Sequence, residues 1–210
     1  PMKPRRPLPS RKRHNRTDTV STIKGQGPSQ GAGSNYKNLR EEPADHGIGR
    51  SRGGLSTKTH QLVDGAGLPL VSLITPGQAG DSPMLLPLLE QLRVTRPAGR
   101  PRTRPDAVLG DKAYSSRAIR THLRSRRIRA VIPEPADQRG HRRRRGPRGG
   151  RPVGLDATAY KGRNVIERRY AHLKQWRGLA TRYDKYSIVY RAAVVLNAVI
   201  AWLKLLSDTP

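Results

Sequence analysis

Tyr160, Arg163, Glu167 and Lys174 are spaced by three, four and seven positions, and at roughly 100° per residue on an α-helix they fall inside a sector of about 60°. A carboxylate is thereby flanked by two cations on one face. The apolar residues of the same stretch, Val165, Ile166, Leu173 and Trp176, gather at roughly 200° to 300°, so the Tyr160–Trp176 helix is expected to bury one face and aim the charged one elsewhere. A second acid, Asp111, follows the short apolar run 107–109 and Gly110, the end of a strand where functional groups of α/β sheets usually sit. Two carboxylates brought together make a hard oxygen-ligand site for Mg²⁺ or Mn²⁺. Such a site can activate water or a 3′-hydroxyl and stabilise the leaving oxygen in phosphodiester displacement. Each acid also has a plainer reading: Asp111 as a helix cap, Glu167 as the ion-pair partner of Arg163 or Lys174.

Composition says what the charged face meets. Lys and Arg number 42 against 15 Asp and Glu, giving a formal net charge of +27 and a sequence pI near 11.6. Such a balance points to a polyanionic partner, with nucleic acid first among them. A ribosome-associated or chromatin-like basic protein shares that charge but requires no acid pair. The absence of cysteine excludes a disulfide framework and a thiolate zinc site and fits a cytoplasmic setting. The basic start, residues 1–16, has no apolar stretch after it of the kind a signal peptide carries.

Residues 1–39 are rich in Pro, Gly, Ser, Arg and Gln and read as a disordered basic tail. A folded domain is expected over 40–208. Leu55–Val63 and Leu68–Thr75 read as strands joined by the turn Asp64-Gly65-Ala66-Gly67, with Asp64 a turn residue. Asp81-Ser82-Pro83 opens a helix that reaches Leu92. A strand over 107–109 is followed by a helix capped at Ser115-Ser116, and residues 128–132 supply one more strand. Residues 138–151 (QRGHRRRRGPRGGR) read as a glycine-hinged basic loop, in which Arg142, Arg143, Arg144, Arg145 and Arg148 can bind phosphates bidentately. The last helix, 186–206, is apolar but interrupted by Arg191, Asn197 and Lys204; it reads as a buried core helix rather than a membrane span, which needs about 20 apolar residues.

The segment from about Asn35 to Leu206 resembles the C-terminal catalytic part of a bacterial insertion-sequence transposase of the DDE class, with a ribonuclease-H-like fold. The motifs that carry the resemblance are Gly49-Arg50-Ser51-Arg52-Gly53-Gly54, Thr75-Pro76-Gly77-Gln78, Gly110-Asp111-Lys112-Ala113-Tyr114 and the Tyr160, Arg163, Glu167, Lys174 set. The resemblance implies an α/β fold with a mixed sheet flanked by helices. It implies Asp111 as the second metal-binding aspartate, Glu167 as the third acid, and Tyr160, Arg163 and Lys174 as contacts to DNA near the transposon end. Mg²⁺ or Mn²⁺ in a two-metal site is the implied cofactor. Double-stranded DNA, as terminal inverted repeats and as target, is the implied partner, bound by a homodimer and with no membrane involved.

The resemblance further calls for a first aspartate in an Asp-Ser-Thr context on a strand upstream of Gly49. Upstream, the chain offers Asp18, in Arg16-Thr17-Asp18-Thr19-Val20, and Asp45 in a loop-like stretch. The expectation is a chain truncated or frameshifted in its N-terminal part, with a sheet incomplete at its first strand and Asp18 as the remaining candidate metal ligand. Two functions stay open: DNA cleavage and strand transfer by metal-dependent chemistry, or DNA binding by a non-catalytic transposase remnant.

Overall fold

The computed structural model describes residues 45–207; the tail expected over 1–39 and Asp18 lie outside them. Strand β1 (Gly49–Ser51) turns back into β2 (Gly54–Val63), which forms a long hairpin with β3 (Pro69–Pro76). The turn between β2 and β3 is built by Asp64, whose Oδ1 accepts from the amides of Ala66 at 2.9 Å and Leu68 at 2.8 Å, the local bond that suits aspartate to turns. The expectation for Asp64 holds.

A 3-10 turn, Ser82–Met84, leads into α1 (Leu85–Gln91) with Pro83 at its start. Next come β4 (Ala107–Leu109), α2 (Arg117–Ser125) and β5 (Arg129–Val131), and β4 pairs with β5 in parallel. Helix α2 begins at Ser116, whose Oγ accepts from Ile119 N at 3.2 Å. The remaining helices are α3 (Ala136–Arg144), α4 (Ala157–Lys161), α5 (Asn164–Lys174), α6 (Arg177–Thr181) and α7 (Ser187–Ser207).

Three apolar clusters hold these elements. Leu85, Leu89, Val108, Ile119, Leu123, Ile128 and Ile132 bind α1 and α2 to β4 and the β5 flank. Val71, Leu88 and Leu92 fix α1 to β3, and Leu62 packs against both groups. Leu173, Leu179, Tyr190 and Val194 join α5, α6 and α7, with Ile74 of β3 beneath them.

Three expectations differ from the structure. Among the described residues there is no single mixed sheet: β1-β2-β3 and β4-β5 are separate. The basic stretch expected as a loop contains helix α3 and a 3-10 turn, Gly146–Gly149. Arginine is a good helix former, and two anchors offset its self-repulsion. Gln138 Oε1 accepts from Ser115 Oγ at 3.0 Å while its Nε2 donates to the Ser115 carbonyl at 2.7 Å, and Arg142 pairs with the half-buried Glu134. Helix α7 buries one side only, through Tyr190, Val194 and Asn197, and exposes Ile188, Val195, Leu196, Val199 and Leu203 on the other. It is long and apolar enough to cross a membrane, and 17% of its Ser187–Leu205 stretch is buried.

Candidate functional site

Asp111 follows β4 after Gly110, and its backbone is extended, with φ −74° and ψ 178°. Its Oδ1 accepts from Ala113 N at 2.8 Å, capping the 3-10 turn Lys112–Tyr114. The capping role is therefore real, but it occupies one carboxylate oxygen and leaves the side chain exposed. Tyr114, at the end of that turn, has its phenol pushed up to about 12, first by burial and then by the charges of Asp81 and Asp111.

The charged row expected on one helix is spread over two. The chain breaks at Gly162-Arg163, between α4 and α5. The row survives the break because Arg163 turns in both directions: its guanidinium lies 5.7 Å from the Tyr160 ring centroid and donates to Glu167 Oε1 at 2.6 Å. Glu167 occupies the first turn of α5, where the helix dipole favours an acid. The hydrogen bond from Arg163 to Glu167 raises the guanidinium's pKa. Lys174 stands exposed at the other end of α5, about 10 Å along the axis from Glu167.

A close approach links the two acids' elements. At Gly162 an ideal Cβ would lie 3.6 Å from Leu109 Cδ2, so the α4–α5 junction rests against the last residue of β4, two positions before Asp111. Next to this contact lies a cavity of about 530 Å³, walled by Leu62–Gly65 of the hairpin, Asp106–Leu109, Arg163, Val165, Ile166 and Trp202. It is partly open to solvent and is lined from both the hairpin and β4, whose edge away from β5 joins no ladder among the described residues.

The basic cluster divides. Arg143, Arg144, Arg145 and Arg148 are exposed, whereas Arg142 is half-buried against Glu134. Arg142 thus has a protein partner in Glu134, which the other four arginines of the set are not shown to share. Sequence reading missed another group. Lys58 and Asp81 form an ion pair at 3.1 Å over the buried His60. Lys58 and His60 at alternate positions of one strand were the available signal, since they share a face.

Carboxylate oxygens of Asp111 and Glu167 are the hard donors a divalent cation takes, so the residues present fit such an ion in chemistry. In number they are short: among the described residues no three His, Asp or Glu side chains group as a metal site.

The chain belongs to the transposase DDE domain family, whose pattern it matches over residues 19–203. It is 32% identical over 148 residues to a protein of Burkholderia cepacia assigned as the transposase of insertion sequence element IS402, covering 70% of this chain and 63% of that protein. It is 29% identical over 150 residues to the one so assigned for IS6501 of Brucella ovis, covering 71% of this chain and all of that protein. The chain thus spans under two thirds of the first relative and the whole of the second. No solved structure matches it.

Proposed function

We propose that this chain acts in DNA transposition at the ends of an insertion sequence, in the bacterial cytoplasm at the nucleoid, binding double-stranded terminal repeats and target DNA as a homodimer. The observation that carries this reading is the contact of Gly162 with Leu109, which brings the α4–α5 junction to the end of β4, two residues before Asp111. Asp111 and Glu167 are the acids that hold Mg²⁺ or Mn²⁺. When bound, the ion supplies Lewis-acid stabilisation of the phosphodiester and a lowered pKa for the attacking hydroxyl. Arg163, stacked by Tyr160 and directed by Glu167, binds a phosphate beside the acids, and Lys174 binds another farther along α5. Arg143, Arg144, Arg145 and Arg148 add sequence-independent affinity. Asp18 is the candidate third ligand.

The missing third donor among the described residues favours a second reading, a DNA-binding remnant without cleavage. One experiment separates the two. Duplexes carrying the element's own ends are incubated with Mg²⁺ or Mn²⁺ and the wild type, Asp111→Ala, Glu167→Ala or Asp18→Ala. Nicking by the wild type, lost in the first two variants, is the outcome expected for the enzyme, and its loss in the third identifies Asp18. Equal nicking by all proteins overturns the acid assignments, while binding without nicking leaves the remnant.

A further inference from the structure

Lys58 projects from β2 with its ammonium held at two points: it donates to the carbonyl oxygen of Ala79 at 2.7 Å and lies 3.1 Å from Asp81 Oδ1. Both side chains of the pair are open to water, 35% and 52% exposed. Below them His60 is 4% exposed, with Nε2 2.7 Å from Thr75 Oγ1 and Nδ1 3.8 Å from Asp81 Oδ1. Burial lowers the imidazole's pKa; Asp81 works against that shift and Lys58 adds to it. At neutral pH the floor of the group is uncharged.

We propose that Lys58 is a DNA-phosphate-binding residue, kept in place by Asp81 until a phosphate oxygen takes the carboxylate's position. An exposed pair is weak and screened by salt, so a polyanion competes for it readily. Ammonium has three donors. The Ala79 carbonyl keeps one of them, and with it the direction of Nζ, whichever anion takes another. The stem rises from a strand paired along Thr57–Val63 with β3, a rigid base for a contact group. The Arg163–Glu167 pair is built the same way, a cation aimed by its own acid. The assignment rests on the reading of this chain as a DNA-binding protein.

The test is binding of the full chain to a duplex carrying the element's end and to an unrelated duplex, by fluorescence anisotropy between ~50 and ~200 mM salt. Lys58→Ala is expected to weaken both duplexes equally and to reduce the log–log salt slope by about 0.9. Lys58→Arg keeps the slope. Asp81→Asn, which frees the ammonium, tightens binding severalfold at the low-salt end. Thermal melting of each variant accompanies the titration, and Lys58→Gln, able to keep the Ala79 bond, serves if the alanine variant unfolds. An unchanged slope in a folded Lys58 variant overturns the proposal, as does weaker binding by a folded Asp81→Asn. Failure of the cleavage reading looks different: no nicking by the wild type, with the Lys58-dependent slope intact. Asp111-dependent nicking with a Lys58-independent slope removes Lys58 alone.

Discussion

Gly162 faces Leu109: an added Cβ would lie 3.6 Å from Leu109 Cδ2, an ordinary van der Waals contact, and 3.1 Å from the Ala159 carbonyl oxygen, a crowded one. The junction has room there for little more than a methyl. Gly162→Leu inserts a branched chain into that contact and is expected to cost about 1–3 kcal/mol by overpacking. Urea denaturation measures the loss. Specific binding to the element's end should fall further than stability accounts for, because Arg163 moves with the junction.

Arg163 and Glu167 form a hydrogen-bonded pair whose side chains are 29% and 57% exposed. Exposed i,i+4 pairs contribute roughly 0.3–0.5 kcal/mol, so Arg163→Ala should barely shift the melting temperature. Its effect belongs to DNA: a uniform loss of affinity and a shallower salt slope. A large drop in stability with unchanged DNA binding would reverse this assignment.

Arg169 is buried at 6% exposure, and its guanidinium donates to the Asn197 side-chain oxygen while Nε has no hydrogen-bond partner among the described residues. Burial lowers its pKa. Asn197→Leu strips this cation of its acceptor and is expected to destabilise the fold by about 2–4 kcal/mol. Arg169→Met in the same background should recover part of the loss, as removal of both polar partners usually does. Chemical denaturation of the two variants gives the comparison.

His60 sets an acid limit. Its folded pKa lies below the ordinary value of 6.5 because burial disfavours the imidazolium. Above that value both folded and unfolded chains hold it neutral, and its contribution does not vary with pH. As pH falls below about 6.5 the unfolded chain takes up the proton first, so stability declines until the folded pKa is passed. His60→Gln should flatten this part of the stability profile. A slope unchanged by the substitution would assign it elsewhere.

Much of the frame was legible because it is local. The hairpin follows from β-rich runs around an aspartate-glycine turn, and α2 from a serine cap before an apolar-periodic segment. The acid after β4 was visible for the same reason. Long-range features were less so. The break at Gly162-Arg163 is invisible to a helical projection, because Arg163 restores the row by reaching back to Tyr160 and forward to Glu167. The arginine-rich stretch hid α3, whose anchors Ser115 and Glu134 precede it in the chain. Asp81 was legible only as a helix start, since its partners lie over 20 residues away on β2. How β4 and β5 stand to the hairpin was not legible either, because the periodicity of short strands does not specify their neighbours.

The outward side of α7 carries Ile188, Val195, Leu196, Val199 and Leu203, yet copies with a formal charge of +27 repel one another in dilute solution. DNA cancels that charge. For this helix, a duplex crowded with protein is a change of solvent, one in which greasy surfaces on neighbouring copies are free to meet. Mixtures near charge balance should therefore turn cloudy at low salt, while Leu196→Glu with Leu203→Glu leaves them clear.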